Sequence, residues 1–187
     1  MKTGVQFAEC ALLPKWDKYK YDQMDCQGFV EAVLKDIGVS KPNGSFYNWT
    51  GSNSMYRNYY SWRGTVEECI SKFGYIPVGA FVYVWKASGQ PEKYNDNIGN
   101  LSHVGIYCGD DVVRDSTRST TLKRDGVGTR SLKGFTRVTL FSGLDYSYNN
   151  SYNASVELAL ASIDRIRNEL IDLEGTLNDI FRSSGTA

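Results

Sequence analysis

Cys26 opens a run with helical spacing, and the chain's one histidine, His103, heads a run that reads as a strand. A thiol attacks an acyl carbon as thiolate, and the free N–H groups of a helix start favour that charge. In MDCQGFVEAVL the cysteine falls in the first turn, with Asp25 placed to cap the helix. The Asp25 charge opposes a thiolate, so a cationic neighbour is required. An imidazole that takes the thiol proton becomes that neighbour, and the pair then works as nucleophile and base. The base in turn needs an orienting group on its other ring nitrogen. Both residues also have a plain structural reading, as a small buried hydrophobe and as a histidine at a strand edge.

Thr3 to Gln6 fits a capping box that starts a first helix, which runs to about Leu13 and is stopped by Pro14. The cysteine helix spans about Asp25 to Asp36, with Phe29, Val30, Val33, Leu34 and Ile37 at helical spacing and Gly38 as its end signal. Residues 39–64 read as an aromatic loop, with a turn at Pro42-Asn43-Gly44 and a short helix around Met55 to Tyr60. Its rings either line a substrate groove or cover the core of the sheet. Thr65 caps a further short helix, VEECISKF. The pattern then changes to strands: IPVGAFVYVW, HVGIYCG, DVVRDST, GVGTRSL and RVTLF. Helices followed by strands, without βαβ alternation, point to an α+β domain with an antiparallel sheet.

The motif pair DCQGFV and HVGIYCG, cysteine before histidine, resembles the NlpC/P60 cysteine peptidases of bacterial cell walls. Domains of that family show a DCSG(L/F)V helix start and an HVGIY strand, and PVGAFVYVW is similar to their PGDLVFF-type strand. The resemblance covers roughly residues 3–145. It implies a papain-like fold with N-terminal helices packed on the sheet, Cys26 as nucleophile and His103 as general base. The family's third polar residue, usually His and sometimes Asn or Gln, aligns with Asp115 in DDVVRDST. This is a departure, and a shift of one residue would put Arg114 there, which cannot accept a hydrogen bond. On the substrate side the resemblance points to Tyr19 or Tyr21, both closer to the cysteine than is usual, and to Asp25 and Gln27, the latter in place of Ser. It implies no metal and no cofactor.

The implied activity is hydrolysis of peptidoglycan between γ-D-glutamate and the following diamino acid of stem peptides. An amidase of the related CHAP type, cutting the sugar–peptide link, keeps the same catalytic pair. A non-enzymatic phage tail or assembly protein, binding wall and working through its helix, is the alternative of another class.

The 21 basic and 21 acidic residues cancel, so no basic excess argues for nucleic acid. No run approaches the length of a membrane span, and the N-terminus does not read as a secretory signal. The expectation is synthesis in the cytoplasm and action on the wall after release, as in a phage or prophage lysin let out by a holin-type partner. Cys10, Cys26, Cys69 and Cys108 form no CxxC pair, so a structural zinc is not expected, nor are disulfides without export. Cys10, Cys69 and Cys108 read as packing residues.

After a catalytic domain over residues 1–146 and a polar linker over 147–154, a helix is expected over 155–183. Val156, Ala159, Ile163, Ile166, Leu170, Leu173, Leu177 and Ile180 follow an unbroken a/d heptad. Leu160 and Phe181 at e positions widen the apolar face. Such a seam either joins copies of the chain into a homo-oligomer or packs on the domain in front of it.

Overall fold

The computed structural model describes residues 1–147 and 151–184, the side chains of the last helix over 158–176. The domain is α+β. Its helices are α1 (Gly4–Leu12), α2 (Cys26–Asp36), α3 (Ser52–Arg57) and α4 (Val66–Phe73), and α5 (Ser151–Ser184) follows it. Its strands are β1 (Tyr60–Thr65), β2 (Phe81–Lys86), β3 (Asn100–Tyr107), β4 (Val112–Ser119), β5 (Arg124–Ser131) and β6 (Arg137–Phe141). They form one antiparallel sheet in the order β1-β6-β2-β3-β4-β5.

Local chemistry accounts for the helix starts. Thr3 and Gln6 make a reciprocal capping box on α1, and Thr65 and Glu68 make another on α4. Asp25 caps α2 by accepting from the Gly28 N–H at 2.7 Å. Phe29, Val30, Val33 and Leu34 form the buried stripe of α2. Each such side chain contributes about 1.5–3 kcal/mol when taken out of water, which fixes which way α2 faces.

The sheet separates two apolar layers, and β2 shows the alternation. Phe81 and Tyr83 face the cluster formed with α1, α2 and α3, whereas Ala80 and Val82 face a smaller cluster with Cys69 of α4, Val113 and Phe135. Leu101, Val104 and Ile106 of β3 belong to the first cluster. A bulge between Val84 and Trp85 of β2 puts His103 opposite Val84 and Leu101 opposite Trp85. The ladder is therefore irregular where His103 sits.

Three sequence expectations need correction. Residues 60–64, read as loop, form with Thr65 the edge strand β1, which pairs only with β6. None of its residues is fully buried, so it carries no alternating signal. The short helix lies at Ser52–Arg57 rather than around Met55 to Tyr60. The expected linker over 147–154 is shorter, since α5 is already helical at Ser151; residues 148–150 lie outside the described residues. Among the described residues no helix is long and apolar enough to cross a membrane.

Candidate active site

Cys26 is the first residue of α2 and is 7% exposed. As residues of the first turn, Cys26 and Gln27 have N–H groups with no acceptor inside the helix. The approach to the cysteine is tied to the sheet, because the Ser116 hydroxyl of β4 donates to the Met24 carbonyl. Contacts between α2 and both β3 and β4 bring the helix start to the strands that carry His103 and Asp115.

The His103 Nε2 hydrogen-bonds Asp115 Oδ2 at 2.6 Å. The Cys26 thiol lies within hydrogen-bonding reach of the same imidazole. The Asp115 side chain is wholly buried. Its other oxygen, Oδ1, takes the Arg124 guanidinium, and Arg130 makes an ion pair with Oδ2 at 2.9 Å. Arg130 also lies over the Phe135 ring, 4.3 Å from its centroid, and that ring is 6.0 Å from the imidazole.

Two glycines make room for this arrangement. A Cβ at Gly105 of β3 would come 2.5 Å from Val113 Cγ1 and 3.2 Å from Asp115 Cβ. Gly128 of β5 is paired directly with Asp115, and a Cβ there would come 2.5 Å from Arg124 Nη1. Bare backbone on both neighbouring strands thus lets the guanidinium lie along β5 and meet the carboxylate.

The electrostatics follow from these contacts. Burial works against a charged His103, but hydrogen bonds to Asp115 and Cys26 outweigh it and raise the imidazole to about 9. Burial likewise opposes an ionised Asp115, yet His103, Arg124 and Arg130 together hold its carboxyl below the usual range. Burial, then the neighbouring Cys26 and Asp25, push Tyr21 up to about 12. Burial pushes the Cys10, Cys69 and Cys108 thiols up to about 12, with Asp36 adding to the effect at Cys10. Those three thiols are held neutral within packing.

Of the two tyrosines upstream, the structure brings Tyr21 to the cysteine, with its hydroxyl within hydrogen-bonding reach of the thiol. Tyr19 lies elsewhere: its ring is 6.3 Å from that of Trp16, and its carbonyl accepts from the Val127 N–H. Asp25 serves as the helix cap. Gln27 is committed to the aromatic loop, donating to Glu31 and to the Trp49 carbonyl while its Oε1 accepts from the Gly51 N–H. Arg114, next to Asp115, binds the Ala11 carbonyl and Asp17, away from the imidazole.

The aromatic loop divides. Trp49, Met55 and Tyr56 are buried in the core, whereas Phe46, Tyr59 and Tyr60 are exposed. Arg124, Arg130 and Phe135 are the site neighbours that the sequence reading missed. Their signal was faint: two arginines flanking GVGT on the strand next to DDVVRDST. Among the described residues no group of three or more His, Cys, Asp or Glu side chains converges as metal ligands do. A scan against protein-family models finds no match for this chain, and a search of curated proteins finds none either.

Proposed function

We propose that the protein is a cysteine peptidase of the bacterial cell wall, an NlpC/P60-like endopeptidase that cleaves the γ-D-glutamyl–diamino acid bond of peptidoglycan stem peptides. One observation carries the reading. A cysteine at a helix start lies within reach of an imidazole whose Nε2 is held by a buried carboxylate that two arginines also pair. That is the nucleophile, base and orienter of covalent acyl chemistry. The choice of bond rests on the motif resemblance.

In the proposed cycle His103 takes the proton of Cys26, and the thiolate attacks the γ-glutamyl carbonyl. The oxyanion forms beside the helix start, where the backbone N–H of Cys26 is placed to donate. Imidazolium gives its proton to the leaving amine, and the acyl thioester remains on Cys26. His103 then removes a proton from water, hydroxide attacks the thioester, and the thiolate is regenerated. Asp115 keeps the ring in one orientation and stabilises its charged form throughout. Tyr21 contributes a hydroxyl at the same centre.

The test is mass analysis of a digest of purified peptidoglycan. Fragments ending in L-Ala-γ-D-Glu support the endopeptidase. Release of intact stem peptides would assign an amidase instead. No release would remove the catalytic reading and leave a wall-binding role, and full activity in Cys26→Ala would refute Cys26 as the nucleophile.

A further inference from the structure

Over residues 159–173 the C-terminal helix presents its heptad seam to solvent. At 34 residues α5 is about 51 Å long. Its root docks on the catalytic domain through Leu158, Ala161, Ser162 and Arg165, which share a groove with Leu12 and Leu13 at the end of α1. These four occupy heptad positions c, f, g and c. Their mean direction lies more than a third of a turn from the centre of the seam at the helical angle of about 100° per residue, with Ser162, at g, bordering it. Ile163, Ile166, Leu170 and Leu173, at a, d, a and d, are 59%, 51%, 56% and 58% exposed. Leu160, at e, widens the same side, at 55%. Among the described residues the domain therefore does not cover the face that the heptad repeat built.

We propose that a second copy of this chain covers it, with the two α5 helices antiparallel. The charges beside the seam select the direction. In a parallel pair each g residue faces the e residue five positions on in its partner, which sets Glu169 against Glu174 of the other helix, twice over. In an antiparallel pair e faces e and g faces g. Stacking Leu170 on Leu173 of the second helix then brings Arg167 opposite Glu174, again twice. All four of these charged or apolar side chains are exposed in the single chain. The same register sets Leu160 against position 181, a Phe in the sequence, and Glu169 against Thr176. Every e position then meets a suitable partner, and no like charges meet. The two catalytic domains would sit at opposite ends of the rod, each held to its own helix by the docked root. This inference does not depend on the chemistry at Cys26.

The experiment is sedimentation velocity on the full chain over a concentration series, comparing wild type, Glu174→Arg and the charge exchange Arg167→Glu/Glu174→Arg. The expected results are a dimer for wild type, about tenfold weaker association for Glu174→Arg as two rim pairs change from attraction to repulsion, and recovery in the exchange variant. A parallel bundle would give the opposite sign, because Glu174→Arg would then meet Glu169, and tighter association would overturn the antiparallel assignment. Wild type remaining a monomer at about 100 μM, a concentration at which even a weak micromolar dimer is formed, would overturn the pairing itself. Both substitutions are at exposed positions, so a folding defect does not mask either result.

Discussion

Asp115→Asn isolates what the buried carboxylate does. In the folded chain His103 is raised from 6.5 to about 9, against the pull of its own burial. Each pH unit is worth about 1.4 kcal/mol, so the shift represents roughly 3 kcal/mol of stability. Because the folded value is the higher one, that stability is fully present below about pH 6.5 and is lost as the pH rises through 9. Asparagine keeps the size of the side chain and removes its charge. It leaves Arg124, Arg130 and the imidazolium without their common counter-ion, and breaking a buried pair from one side costs about 3–5 kcal/mol. For a chain of this size, losses of that order lower the melting temperature by roughly ten degrees.

The assay is a set of thermal melts at fixed pH between 6 and 9.5, run beside the pH profile of wall hydrolysis. Wild type should lose stability across 6.5 to 9, and Asp115→Asn should be flatter there. The alkaline limb of the variant's activity should move down from about 9 toward the ordinary imidazole value of 6.5. The remaining contact with Cys26 keeps the move incomplete. Adding Arg124→Gln should recover part of the lost stability, since one surplus buried cation goes with it; the two changes are coupled through contact. Parallel wild-type and variant melts with an unmoved alkaline limb would refute the assignment of Asp115 as the group that holds the imidazolium.

Tyr21→Phe removes the hydroxyl beside the thiol and should lower kcat/KM about tenfold, the worth of one hydrogen bond at the reacting centre, with little change in melting temperature; unchanged kinetics would exclude Tyr21 from the site. Gly105→Ala places a methyl group 2.5 Å from Val113 Cγ1 and 3.2 Å from Asp115 Cβ. It should cost about 1–3 kcal/mol by overpacking and shift the alkaline limb in the same direction as Asp115→Asn, a shift that overpacking alone would not produce.

What the sequence discloses divides along a physical line. The start of α2 is legible because Asp25, Cys26 and Gly28 act within one turn, and the buried stripe from Phe29 to Leu34 follows a fixed period. β3 and β4 are legible because HVGIY and DVVRDST are short runs rich in β-branched residues, bounded by turn signals. Arg124 and Arg130 are not, because reaching Asp115 depends on the β4–β5 register, which sets Gly128 opposite Asp115. Sequence spacing holds no information about that pairing until the turn between the strands is known. β1 is hidden for a related reason: an edge strand without buried residues has no period to detect. The aromatic loop was ambiguous since ring content alone does not distinguish Trp49, buried against Phe81 and Phe141, from the exposed Phe46.

The two arginines also explain how an acid can stand at Asp115. A neutral third residue could orient an imidazole at little desolvation cost, whereas a wholly buried carboxylate is expensive unless its charge is matched and its lone pairs are filled. Here Oδ1 accepts from Arg124 and Oδ2 is bonded to His103, while Arg130 adds its charge 2.9 Å from Oδ2 without a hydrogen bond. The match goes past neutrality. Two guanidiniums and one imidazolium surround a single carboxylate, so the group carries a net positive charge. The bare backbone at Gly105 and Gly128 belongs to the same device, since side chains there would push Val113 into Asp115 from one strand and drive Arg124 off it from the other. Exchanging Asp115 for His without also removing Arg124 and Arg130 would set an imidazole between two cations. On this reasoning Asp115→His alone should be less active than Asp115→His combined with Arg124→Gln and Arg130→Gln, as measured by wall hydrolysis at pH 7, and the reverse order would show that the arginines serve something other than Asp115.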